Sequence, residues 1–77
     1  MGSSKKEVFV LQREWRSEFI SYSVVGVFDD PRNLLYFIDG RKGTYYVLVC
    51  PLNGTSIEQL TIHDLASRYG LNRVETQ

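Results

Sequence analysis

A single histidine and a single cysteine limit the chemistry that these 77 residues can do. His63 has Asp64 beside it and Ser67 four positions on, with Thr61 just before. A nucleophile and its base must lie within hydrogen-bond reach. On a helix, His63 and Ser67 at i and i+4 are neighbours, but Asp64 points about 100° away. The group therefore reads as the polar face of a helix whose other face carries Leu65 and Ala66. Cys50 closes an apolar run with no base near it in sequence, so it reads as a small buried hydrophobe. Asp29 and Asp30 precede Pro31, and turn chemistry accounts for them. One histidine and one cysteine cannot supply a thiolate–imidazole metal site. The sequence predicts no enzyme, no metal and no cofactor.

A different chemistry is stacking and apolar contact. Arg41 and Lys42 sit in a glycine-bracketed segment, Asp39 to Thr44, between runs that carry Tyr36, Phe37, Tyr45 and Tyr46. Aromatic strands with a basic loop can hold single-stranded nucleic acid. On that reading Arg41, Lys42, Tyr45 and Tyr46 would make the contacts. The competing reading treats the aromatics as core and interface, and the basic tip as a solubilising surface. Nine basic against nine acidic residues give zero formal charge, whereas duplex binders carry a basic excess. The tail from Thr61 to Gln77 resembles the start of a helix-turn-helix, but only Asn72 to Gln77 would remain for a recognition helix, too few to read a groove.

The elements that must carry these residues follow from periodicity. Val8–Trp15 and Phe19–Phe28 read as strands one and two. In strand two, Ile20, Tyr22, Val24 and Phe28 share one parity, and Gly26 marks a bulge. Asp29–Asn33 reads as a turn. Leu34–Ile38 reads as strand three, joined through the Asp39–Thr44 hairpin to strand four, Tyr45–Cys50. Pro51 ends that strand, and Asn53-Gly54 makes another turn. Ile62, Leu65, Ala66 and Tyr69 fall on one face of a C-terminal helix, with Thr61 and Asp64 as its capping box and Gly70 past its end. Ile57–Ile62 can be read as helix or as a short fifth strand.

The expected fold is α+β: a small four-stranded antiparallel β-meander, able to curl toward a barrel, with one C-terminal helix on one face. Residues 1–6 form a flexible lead and residues 7–77 a single domain. No apolar run reaches the ~20 residues of a membrane span. The polar N-terminus lacks the apolar core of a signal peptide, and the unpaired cysteine suits a reducing, cytoplasmic setting.

A domain this small has a core worth only about 3–5 kcal/mol. Yet the 34–50 segment, folded as a hairpin, is apolar on both sides. Leu35, Phe37, Tyr46 and Leu48 oppose Tyr36, Ile38, Tyr45 and Val47. One helix covers one side. The other is closed by a barrel, by a second copy, or by a partner protein. The sequence thus points to a non-enzymatic protein-interaction module, a small regulator, inhibitor or accessory factor, with Leu35, Phe37, Tyr46 and Leu48 as its contact. The partner is another protein or a second copy, with single-stranded nucleic acid as the alternative and no membrane.

Overall fold

A computed structural model describes residues 6–71 of the chain. Four antiparallel strands and two helices alternate as β1 (Glu7–Arg16), β2 (Ile20–Phe28), α1 (Pro31–Ile38), β3 (Thr44–Pro51), β4 (Glu58–Thr61) and α2 (Ile62–Arg68). The strand order is β2-β1-β3-β4. The α+β class and the four antiparallel strands agree with expectation. The meander does not, because β1 and β3 are neighbours with a helix between them in sequence. Both β2 and β3 run antiparallel to β1 and so parallel to each other, and α1 makes the crossover. The sheet stays open, with β2 and β4 as its edges.

Leu34–Ile38 is helical rather than the expected third strand. Asp30 is its N-cap: the carboxylate accepts the Arg32 backbone N–H at 2.9 Å, and Pro31 occupies the first turn. Proline belongs there because its missing N–H would have had no intrahelical partner. Leu34 and Ile38, one turn apart, are buried, while Tyr36 is 79% exposed. The expected hairpin at Asp39–Thr44 is therefore the link from α1 to β3. Its glycines are needed all the same. Gly40 and Gly43 have φ of 81° and 129°, and a Cβ on Gly43 would stand 2.7 Å from Arg13 Nε.

Within residues 57–62 the strand reading holds over Glu58–Thr61, and the helix starts only at Ile62, so an earlier helical start does not occur. β4 ends at Thr61, whose hydroxyl then accepts the Asp64 backbone N–H at 3.1 Å and starts α2. Gly70, at φ 65°, closes the helix, and Leu71 N–H returns to Ala66 C=O at 2.8 Å. Arg68 makes two 2.7 Å hydrogen bonds to the Glu58 carboxylate, tying α2 to β4. Residues 1–5 of the expected lead and Asn72–Gln77 lie outside the described residues.

Both helices cover the same side of the sheet. Phe9 and Leu11 of β1, Val47 and Val49 of β3, and Leu60 of β4 share that side by register. With Leu34, Ile38 and Leu65 they form the core. Tyr69 sets its ring edge-on to Phe9 at 5.4 Å and donates its hydroxyl to Glu7 Oε1 at 2.7 Å.

Two outcomes check this packing. Leu34→Ala should lower stability by about 2–5 kcal/mol, while Tyr36→Ala should change it by less than ~0.5 kcal/mol. Urea unfolding distinguishes the two, since a strand would give residues 34 and 36 one face and similar costs. Burial, then the bond to Glu7, pushes the Tyr69 phenol up to about 12. Its contribution is present in full below the ordinary value of 10.0 and is lost as pH rises through about 12. Thermal melts of Tyr69→Phe should show a shallower alkaline decline than the parent.

Candidate interaction face

The side of the sheet away from the helices begins with the alternate residues of β1: Val8, Val10, Gln12, Glu14 and Arg16. Register places Tyr46, Leu48 and Cys50 of β3 on the same side, opposite Gln12, Val10 and Val8. Gln59 and Thr61 of β4 join them. On β2 the same side carries Ile20, Tyr22 and Val24, which pair with Arg16, Glu14 and Gln12, and Val27, which pairs with Val10.

The register slips between Leu11 and Gln12, where β2 holds one extra residue. This is the bulge expected at Gly26. Its consequence corrects the simple parity of the sequence: Phe28 does not share a side with Ile20, Tyr22 and Val24. The extra residue turns it toward the helices, where its ring lies 5.8 Å from Phe37. A Cβ on Gly26 would approach that ring to 3.0 Å. Glycine is thus what lets Phe28 fold back over the strand.

The open side is apolar and exposed. Ile20, Tyr22, Val24 and Val27 are 58%, 48%, 60% and 61% accessible. Val8, Val10, Leu48 and Cys50 are half-buried beside them. β2 carries no charge and no proline along its nine residues, and its outer edge pairs with nothing among the described residues. Natural sheets usually blunt such an edge with charge, proline or shortness. β4 is blunted in that way: it has four residues, and its Glu58 is clamped by Arg68.

Gln12, Glu14 and Arg16 of β1 interrupt this side. Glu14 is only 7% exposed, and its carboxylate accepts a hydrogen bond from the exposed Arg16 guanidinium. The Tyr22 and Tyr46 rings meet edge to face at 5.9 Å and 79° beside it. Glu14, as hydrogen-bond acceptor and then as charge, raises the Tyr46 phenol above its ordinary value, since ionising it would set two anions side by side. The same carboxylate raises Arg16. The cluster is a satisfied anchor at one end of the face.

The residues singled out from sequence are divided by the sheet. Tyr46 and Leu48 lie on the open side. Leu35 and Phe37 belong to α1 and pack against the core on the covered side, so the four do not form one surface. Arg41 follows α1; its guanidinium lies 4.2 Å over the Phe37 ring and donates to the Phe37 carbonyl at 2.8 Å. Lys42 is exposed beside it. Tyr45 packs against the core, on the opposite side from Tyr46. Cys50 is half-buried on the open face. His63, Asp64 and Ser67 are exposed on α2. Among the described residues no three of His, Cys, Asp and Glu stand where they could hold a metal ion, and no helix is long and apolar enough to cross a membrane.

Sequence reasoning missed Val8, Val10, Ile20, Tyr22, Val24 and Val27 as surface. The signal was present in β1, where both parities are apolar from Val8 to Leu11. No family model, curated protein or solved structure matches the chain.

Replacing Glu14 with Gln should bring the Tyr46 titration down toward 10.0. The ring-carbon chemical shift followed against pH reads this directly. An unmoved midpoint would mean that the carboxylate and phenol do not interact.

Proposed function

We propose that the chain is a non-enzymatic interaction module that binds a polypeptide surface through the open side of its sheet. The observation that carries this reading is the run of exposed Ile20, Tyr22, Val24 and Val27 on a long, uncharged edge strand, continuous with Val8, Val10, Tyr46 and Leu48. Contiguous apolar surface above a few hundred Å² marks interaction sites on small soluble proteins. A regulator, inhibitor or accessory factor fits such a surface, and the contact residues become the open-side set together with Tyr46 and Leu48.

Geometry weighs against the nucleic-acid alternative. A stacking platform needs free aromatic faces. Arg41 already lies over Phe37, and Arg13 lies 3.9 Å over Trp15. Tyr45 and Tyr46 point to opposite sides of the sheet, so Arg41, Lys42, Tyr45 and Tyr46 do not line one groove.

Val24→Lys combined with Val27→Lys should abolish capture of protein partners while leaving the melting temperature nearly unchanged, since both side chains are exposed. Wild-type binding should weaken little as salt rises. Binding of a labelled oligonucleotide that falls steeply with salt and is lost in Arg41→Ala/Lys42→Ala would favour the other reading.

A further inference from the structure

We infer that the occupant of the open face is a second copy of this chain, seated face to face so that two sheets pack as a sandwich with the helices outside. The inference rests on the reading of the open side as an interaction surface and names what covers it.

Area is the first argument. A standard interface takes about 800 Å² from each partner, of which roughly 56–65% is apolar. That calls for about 450–520 Å² of apolar surface per copy. Fully burying an aliphatic side chain removes about 60–120 Å² from water, taking its transfer energy at 25 cal/mol per Å². The four residues of β2 at 48–61% exposure, with half-buried Val8, Val10, Tyr46, Leu48 and Cys50, therefore offer roughly 200–400 Å². That is less than a standard interface and fits a small self-contact that exchanges, rather than a permanent dimer. Arg16, Thr44, Gln59 and Thr61 provide its polar margin, and Gln12 lies inside it between Val24 and Tyr46.

Charge is the second. Within the strands, the only charged side chains on this side are Glu14 and Arg16, and they are paired with each other. Two copies can meet with no like-charge penalty, and nothing on the face calls for a charged partner. A two-fold arrangement leaves the Glu14 end of each copy at the rim, where Arg16 stays solvated. Sheets packed this way stand about 10 Å apart with strands some 30° from parallel.

Pairing of two β2 edges is the competing geometry. An antiparallel β2–β2 contact would bring Glu18, at one end of the strand, beside Asp29 and Asp30 at the other. It would also leave the broad face wet.

The chain carries its own reporter. Cys50 is its single cysteine, and it lies on the open face of β3, two strands away from the β2 edge. Sedimentation of the full chain should show monomer and dimer exchanging across the micromolar range. Alkylation of Cys50 by N-ethylmaleimide should slow in step, about tenfold when nine-tenths of the chain is dimeric, because only the monomer reacts. Val24→Lys/Val27→Lys should be monomeric, match the parent's melting temperature at concentrations where the parent is monomeric, and react at the fast rate at every concentration. A dimer whose Cys50 reacts as fast as the monomer's would overturn the face-to-face arrangement. A strict monomer would overturn self-pairing altogether. If that monomer still captures a protein that Val24→Lys/Val27→Lys does not, the interaction reading stands without a second copy. If it captures none, both fail.

Discussion

The alternation of β1 governs this structure. It pairs along its length with β2 on one side and β3 on the other, so its pleat sets the sidedness of the sheet. Phe9 and Leu11 fix where the core lies, and α1 and α2 both dock there. Val8 and Val10, between and beside them, are then committed to the other side by geometry alone. A strand with both parities apolar belongs in a sheet covered on both faces. The two helices, eight and seven residues long, both lie on the covered side. The uncovered apolar side follows from β1's sequence and the number of residues available to cover it.

Local signals were legible where one residue type has one job. Thr61 with Asp64 capped α2, Gly70 ended it, Asn53-Gly54 turned the chain, and Gly26 marked a bulge. Leu34–Ile38 is a five-residue apolar run with no period to separate strand from helix. The deciding information lay upstream. Asp30-Pro31 reads as a turn when a strand is expected to follow, and as N-cap and first helical residue when a helix does. Aromatic and β-branched Tyr36, Phe37 and Ile38 favour strand by propensity, and burial of Leu34 and Ile38 against the sheet overrides them. β3 is two-faced whichever strand it pairs with, because the alternation of Tyr45–Cys50 does not change when β1 replaces the expected neighbour. Leu35 and Phe37 lie off that open side, because a helix carries them to the other one.

The bulge opposite Leu11 and Gln12 lets one strand serve two purposes. Without the extra residue, Phe28 would keep the parity of Ile20, Tyr22 and Val24 and leave the core. With it, the last turn of β2 delivers Phe28 to Phe37 beside the start of α1, while the earlier residues stay on the open side. Gly26 is the cost of that arrangement, since any side chain there meets the Phe28 ring. The strand's exposed apolar stretch and its anchoring residue are separated by one inserted position.

Glu14 gives the open face its direction. A buried carboxylate is costly unless it is paired and hydrogen-bonded. Here Arg16 and Tyr46 meet that requirement, with Tyr22 packed alongside. Removing the carboxylate would leave Arg16 without its acceptor and Tyr46 without the anion beside its phenol, so the group behaves as a unit. Because it sits at the Arg16 end of β1, the face runs from a polar, aromatic end to an aliphatic one at Val8, Val27 and Cys50. A flat and uniformly apolar surface would accept a partner in many registers. A partner that slid over Glu14 would have to desolvate Arg16, and that desolvation restricts the registers in which the aliphatic end can be covered.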